Sequence, residues 1–374
     1  MISAALLERV ACPVCLEAEG CDRCGRPSGH AACADYATRI ACACGGPDKR
    51  RLDTAPGGLR CPCCGALYAA HAAGGFVDLQ PRARVGEVTQ YADHEFHERL
   101  GVVDAPPVLS ARIKADMMRR MLAPRPGETV LDLGCGAGKF ALFTASAGVT
   151  ATGVDLAPYF LPRAVQGVDL VVGDLRRLPF RKAAFPAAYT LDVLEHLDEA
   201  GVAEVLLEAR RALARDGRLF VYTHAMESSR IAWFQRAVNR LAQRLGRAGL
   251  IDHEKEALRK SDHVNAIRSH EHFDALAQHA GLRVVERRYY NVVFKAVIED
   301  LLLRLVQQTR RGKGGPAREH APVHGGEPGP FVPGPPPGRV ALALAQAATW
   351  LLRLDVLLFG RIRTGPFFGL LRPR

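Results

Sequence analysis

Past residue 126 the chain alternates short apolar runs with longer stretches whose apolar residues recur every three or four positions. Residues 130–133, 150–154, 188–194 and 219–223 are of the first kind, short and apolar like buried strands. Residues 139–147 and 270–280 are of the second, and Ser269 stands where the N-cap of the later helix belongs. Strands separated by helices imply a mostly parallel sheet covered on both faces, an α/β fold. Residues 282–290 read as a sixth strand, and residues 365–374, through Phe367-Phe368-Gly369-Leu370-Leu371, as an antiparallel seventh. Phe185-Pro186 precedes the fourth strand; proline cannot donate to a ladder, so that strand is expected to begin near Ala188.

Everything between the sixth and seventh strands is then an insertion. Residues 292–306 place Phe294, Val297, Ile298, Leu301, Leu302 and Leu305 at helical spacing opposite Lys295, Glu299 and Arg304. Residues 311–338 form a Gly/Pro-rich loop too poor in apolar residues to pack. Residues 340–359 are apolar nearly all round and close to spanning length, but Arg353 and Asp355 argue against a span. The expectation is a helical pair that packs on the sheet edge and roofs a substrate pocket, with in-plane membrane contact as the alternative.

The first strand runs into Gly134-Cys135-Gly136-Ala137-Gly138 before a helix. Glycine allows positive φ and close approach of a ligand to the backbone, so three alternating glycines suit a loop wrapped around a small polar ligand. Asp155 ends the second strand about 20 residues beyond, where a carboxylate reaches ribose hydroxyls. The spacing is GxGxG rather than GxGxxG, and Asp132 precedes the first glycine, a poor arrangement for a pyrophosphate. A ligand with a cation and an amino group fits it, with Asp132 ordering the loop and the ammonium while Asp155 takes the ribose. S-adenosylmethionine has that charge pattern.

Residues 130–138, Gly153-Val154-Asp155, Gly173-Asp174-Leu175 with Leu178-Pro179-Phe180, and Leu191-Asp192-Val193-Leu194-Glu195-His196-Leu197 resemble the ordered motifs of class I S-adenosylmethionine-dependent methyltransferases. They are most similar to the branch that methylates quinones and other small molecules. The resemblance implies a Rossmann-like seven-stranded sheet and a cofactor site of Asp132, Gly134, Cys135, Gly136, Gly138, Asp155 and Leu156. It further implies Asp174 at the adenine amino group, Leu175 at the base edge, Asp192 closing the pocket, and Tyr91 over the cofactor. Family members usually carry Phe-Asp where this chain has Phe185-Pro186. The Asn-Pro-Pro-Tyr signature of enzymes that methylate exocyclic amines is replaced by Leu191-Asp192-Val193-Leu194, which weighs against a base or amide acceptor.

A sulfonium methyl is already a strong electrophile, so the protein need only align the nucleophile, exclude water and take up a proton. Glu195, His196 and His224 follow the fourth and fifth strands and are the catalytic candidates. His196 is the leading general base, because imidazole titrates near neutrality and the matching pair lies on the substrate side in relatives. Against this stands a purely structural role for Glu195 and His196 in anchoring the next helix; a divalent metal held by Glu195, His196 and His224 is a third reading. His94 and His97 share a polar helical face and read as solvated, and His263 as part of a lid or scaffold.

Ten of the eleven cysteines lie before residue 65. Cys12-Pro13-Val14-Cys15 and Cys61-Pro62-Cys63-Cys64 are two CxxC knuckles, together offering the four thiolates of a tetrahedral structural zinc. Disulfides are the rival. Residues 1–10 lack the basic start and long apolar stretch of a signal peptide, which points to a cytoplasmic, reducing setting where thiolate clusters bind metal. Leu6-Leu7, Gly65, Tyr68 and residues 74–79 look like the small zinc-ribbon proteins that activate tRNA and protein methyltransferases. Between the knuckles, Cys21 and Cys24 lead the candidates for a second zinc, with His30, Cys33, Cys42 and Cys44 nearby.

The formal charge of +11 and a pI near 9.3 admit RNA or anionic lipid as partners. Aromatic residues are only 7%, and no basic block interleaves with them, so no stacking platform for single strands is evident. The organisation expected is a cysteine module over 1–80, a helical linker or cap over 81–125, the catalytic domain over 126–291 and 361–374, and the insertion over 292–360. The activity expected is methyl transfer from S-adenosylmethionine to a small, apolar acceptor, by a cytoplasmic protein with membrane-peripheral contact through 292–360. The alternatives are an rRNA or tRNA methyltransferase that docks RNA on its zinc module, and a silent scaffold that only binds cofactor.

Overall fold

The computed structural model describes residues 2–17, 52–62, 64–71, 75–80, 102–250, 263–304, 333–334 and 336–374. The expectations for Tyr91, His94, His97, Cys21, Cys24 and the other cysteines between the knuckles fall outside these residues, as does most of the 311–338 loop.

Near the N-terminus, β1 (Asp53–Ala55), β2 (Gly58–Arg60) and β3 (Leu67–Ala69) form a small antiparallel sheet beside the short helices α1 (Ala4–Leu7) and α2 (Pro13–Glu17). The main sheet contains β4 (Phe76–Asp78), β5 (Thr129–Leu133), β6 (Thr150–Asp155), β7 (Asp169–Val172), β8 (Phe185–Leu191), β9 (Leu213–His224), β10 (Leu282–Tyr289) and β11 (Pro366–Pro373). Its lateral order is β10-β11-β9-β8-β5-β6-β7-β4. Pairings from β4 to β9 are parallel, and β11 lies antiparallel between β9 and β10.

The six strands read from the sequence are all in this sheet, β7 completes the seven that the resemblance implied, and β4 adds an eighth. Residues 76–78 were expected within the cysteine module; instead Phe76 and Val77 are buried and pair with Leu170 and Val171. The module is bound to the sheet elsewhere as well. Val10 bridges Phe180, the Ala11 amide donates to the Pro179 carbonyl at 2.9 Å, and the Arg181 amide donates to Arg9 at 2.7 Å. Cys12, Leu52, Leu59 and Cys61 share one apolar core with Leu133, Leu178 and Phe180.

The start of β8 corrects the expectation that Pro186 delays it. The strand begins at Phe185, opposite Leu213, and the register shifts before Ala187 pairs with Arg218. Proline is tolerated there because the irregularity asks for no amide from it.

Between strands run α3 (Leu109–Leu122), α4 (Lys139–Ala145), α5 (Pro162–Gly167), α6 (Glu199–Ala212), α7 (Ala232–Arg247) and α8 (His270–His279). Asp198 caps α6 by accepting from the Gly201 amide at 2.7 Å, and Ser269 caps α8 by accepting from the His272 amide at 3.1 Å. Buried Arg211 of α6 pairs with Glu208 at 2.7 Å and donates to the carbonyls of Leu178 and Phe180, which fastens the 178–180 segment under the helix.

The insertion begins with α9 (Val293–Val297), continues as a π-helix (Ile298–Leu303) and returns as α10 (Arg339–Phe359). Polar contacts fix α10 from its inner side. Asp355 accepts from the Phe294 and Lys295 amides at 2.8 and 3.0 Å, and Arg353 pairs with Asp116 of α3 at 2.9 Å. Its other side is open: Val340, Leu344, Leu351 and Leu358 fall on one stripe and are 50–74% exposed.

Candidate functional site

The glycine loop links β5 to α4, and Gly134, Gly136 and Gly138 all have positive φ, at 78°, 52° and 79°. A Cβ on Gly134 would come within 2.4 Å of Val193, and one on Gly138 within 2.6 Å of Ala164. Gly136 differs, since a Cβ there would meet nothing within 4 Å, and its amide donates to Asp155 Oδ2 at 2.7 Å. The middle of the loop therefore faces open space at the end of β5, with the Asp155 carboxylate alongside it.

Asp132 is buried, directly opposite Tyr189 in the β5–β8 register. The Tyr189 hydroxyl donates to Asp132 Oδ2 at 2.8 Å, and Thr144 Oγ1 donates to that hydroxyl at 3.2 Å. Burial, reinforced by the charge of Asp155, pushes the Asp132 carboxyl up to about 8 against the pull of the tyrosine bond. A cation approaching the loop would favour its ionised form. This donor set fits the sulfonium and ammonium of S-adenosylmethionine.

The remaining cofactor candidates have partners within the chain. Asp155 Oδ1 also accepts from the Ala157 amide at 3.2 Å, and the Leu156 carbonyl accepts from Gln80 Nε2 at 2.8 Å. Cys135 is buried behind the loop. Asp174 caps the 3₁₀ turn Leu175–Arg177, accepting from the Arg176 amide at 2.8 Å and pairing with its guanidinium at 2.9 Å, so an adenine amino group would share that carboxylate with Arg176. Leu175 is partly buried against the core. Asp192 takes a left-handed φ of 55° and pairs with Lys114 of α3, whose ammonium lies 4.6 Å from the Tyr222 ring centre. Lys114 carried no sequence signal, because it lies in the helix preceding the sheet.

Glu195 and His196 occupy the 3₁₀ turn Leu194–His196 after β8, and the cap of the next helix is Asp198. Glu195 is buried; its Oε1 lies 3.4 Å from His224 Nδ1 at the end of β9, and its Oε2 accepts from Thr223 Oγ1 at 3.2 Å. Burial alone would raise this carboxyl, but the His224 contact and charge, a backbone bond and the His196 charge bring it down to about 2. The three catalytic candidates are thus brought together. They are joined by His263, expected in a lid: its ring lies edge-on to His196 with centroids 4.7 Å apart. The amides of Val264 and Asn265 donate to the Glu195 carbonyl at 2.9 and 3.0 Å, which holds the His263 segment against the turn.

The zinc candidates Cys12, Cys15, Cys61 and Cys64 converge. Cys12 Sγ lies 3.6 Å from Cys64 Sγ, and Cys15 Sγ lies 3.7 Å from Cys61 Sγ. A tetrahedron with Zn–S bonds of about 2.3 Å has edges of roughly 3.8 Å, so the four sulfurs fit zinc and are too far apart for disulfides. The Tyr68 hydroxyl contacts Cys12 Sγ at 3.0 Å.

Residues 131–221 match the family described as "Methyltransferase domain". The chain is 33% identical over 146 residues to a 37.1 kDa transposon protein of Streptomyces fradiae, covering 36% of this chain and 40% of that one. It is 32% identical over 114 residues to the 27-O-demethylrifamycin SV methyltransferase of Amycolatopsis mediterranei, covering 28% and 41% respectively. The chain thus spans about two fifths of the length of these relatives. Among solved structures, Haemonchus contortus phosphoethanolamine N-methyltransferase 2 aligns over 78% of this chain and 60% of its own, at 16% identity and a TM-score of 0.46. The segment that matches the methyltransferase-domain family, residues 131–221, runs from β5 into β9 and so carries the glycine loop, Asp155, Asp174, Asp192, Glu195 and His196.

Proposed function

We propose that the chain transfers a methyl group from S-adenosylmethionine to a small, apolar acceptor. The observation that carries this reading is the buried Asp132 behind a glycine loop whose centre is open and flanked by Asp155. In this reading Asp155 takes the ribose hydroxyls, the loop backbone lies along the methionine part, and Asp132 supplies the charge opposite its cationic end. Asp192, fixed by Lys114, closes the pocket. The bound cofactor supplies an activated methyl group. His196 or His224 would take up the proton that the acceptor loses as it receives that methyl group.

The apolar stripe of α10 supports an acceptor drawn from a lipid phase. The helix is long and apolar enough to cross a membrane, but its contacts through Arg353 and Asp355 tie it to the domain, which suits in-plane contact better than a span. The four clustered cysteines are assigned to one structural zinc that anchors the N-terminal segment.

The test is to incubate the purified chain with methyl-labelled cofactor and a cell extract separated into organic-soluble, RNA and protein fractions. Label in the organic fraction is the expected result. Label in RNA alone would replace the small acceptor with a nucleic acid, and cofactor binding without label in any fraction would overturn the transfer reading.

A further inference from the structure

We propose that Glu195, His196 and His263 form a divalent-cation site beside the methyl-transfer pocket, selecting an acceptor that presents two adjacent oxygens. The metal site stands on geometry alone; its role in choosing the acceptor rests on the methyltransferase reading above.

One carboxylate oxygen and one nitrogen from each imidazole lie within 4.8 Å of one another. Ligands in cis positions around a cation with bonds near 2.1 Å are about 3 Å apart, so small side-chain rotations would close the set. The two segments that supply these groups are held together by backbone bonds rather than by the side chains themselves. The Glu195 carbonyl receives both the Val264 and Asn265 amides, and Asn265 adopts a left-handed φ of 52° as the chain passes. Conformations of this kind outside glycine tend to be retained where a site needs them.

Two imidazoles and one carboxylate make a facial set that suits Mn²⁺, Fe²⁺ or Zn²⁺ and leaves coordination positions for a substrate. The set is chemically distinct from the four-sulfur cluster, whose soft donors suit zinc and bind hard cations poorly. The turn follows directly after β8, with Asp192 three residues before Glu195 in the chain, so the set lies at the same strand end as Asp192. An acceptor with neighbouring hydroxyl or carbonyl oxygens would chelate there with one oxygen turned toward the cofactor. With His196 on the cation, the proton falls to His224, whose Nδ1 lies 3.4 Å from Glu195 Oε1.

Mn²⁺ separates this site from the thiolate cluster and is detected by loss of the free-ion electron paramagnetic resonance signal on titration into the full zinc-loaded chain. About one Mn²⁺ per chain is expected, with affinity at least tenfold weaker in H263A and in H196A while both variants keep the wild-type melting temperature. If either variant is less stable, paramagnetic broadening of the His196 and His263 ring signals in the wild-type chain gives the same information without substitution. No Mn²⁺ uptake by the wild type, or uptake unchanged in both variants, would overturn the site. Mn²⁺ bound at these histidines in a chain that transfers no methyl to any extract would uphold the site and sink the transfer reading instead.

Discussion

Tyr189 and Asp132 face each other on neighbouring parallel strands and share a 2.8 Å hydrogen bond in a region closed to water. The bond satisfies one carboxylate oxygen, yet burial keeps the acid's pKa at about 8, far above its ordinary 3.8. An acid held this way is a charge in reserve, released when a cation arrives.

The linkage has a definite sign. Because the folded-state pKa of Asp132 is raised, the folded chain binds an extra proton between pH 4 and 8; the stabilising contribution is full below about 4 and is lost as pH rises through about 8. The slope from this one group is at most about 1.4 kcal/mol per pH unit. D132N should therefore gain stability relative to the wild type as pH is raised from 5 to 9 in thermal melts, and a constant difference would contradict the assignment. Cofactor binding at pH 7 should release protons, seen as a buffer-dependent calorimetric enthalpy that D132N abolishes.

Asp155 should matter more to the ligand than to the fold. Loss of charge-assisted hydrogen bonds by D155A is expected to weaken S-adenosylmethionine binding by about 1.5–3 kcal/mol, roughly ten- to a hundredfold. Calorimetry showing unchanged affinity would remove Asp155 from the site.

Arg211 and Glu208 form a fully buried pair that also satisfies the Leu178 amide and the carbonyls of Leu178 and Phe180. Breaking one side strands the other, so R211M should cost about 3–5 kcal/mol in denaturant unfolding. The double variant R211M/E208M should lose clearly less than the sum of the R211M and E208M losses; a double loss equal to that sum would mean that the two residues are not coupled.

Metal analysis of the purified chain should find zinc, and C61S should carry one equivalent fewer with a lower melting temperature. Zinc content unaffected by C61S would exclude the cluster at Cys12, Cys15, Cys61 and Cys64.

Sedimentation with vesicles of anionic phospholipid reports on α10. Replacing Leu344 and Leu351 by serine, both exposed and outside the helix's polar contacts, should reduce binding severalfold while leaving the melting temperature in place. Equal sedimentation would confine α10 to a role within the protein.

Much of this was legible in the residues because the physics was local. The glycines declared their positive φ by alternating, and the strands declared themselves by unbroken apolar runs, which is what burial on both faces of a parallel sheet demands. Ser269 announced its cap in the same way. Pro186 misled, since a rule about lost amides says nothing about a register shift that needs no amide. His263 joined Glu195 and His196 through backbone bonds from Val264 and Asn265, and carbonyl partners leave no mark on side-chain identity. β4 was assigned to the cysteine module for a similar reason: Phe76 and Val77 would suit either sheet, and only tertiary pairing chose between them.

That pairing gives the distant cysteines a task unrelated to catalysis. β4 covers the outer flank of β7, and the Leu79 amide extends the cover by donating to Val172 at 2.8 Å. Without it, β7 would present an open row of backbone donors and acceptors lined with Leu170, Val171 and Val172, the kind of edge on which chains stack into aggregates. The Ala70–Val77 bridge ties β4 to the small sheet in which Cys61 and Cys64 lie between β2 and β3, so the cover over β7 is continuous with the segment that the cysteine cluster gathers.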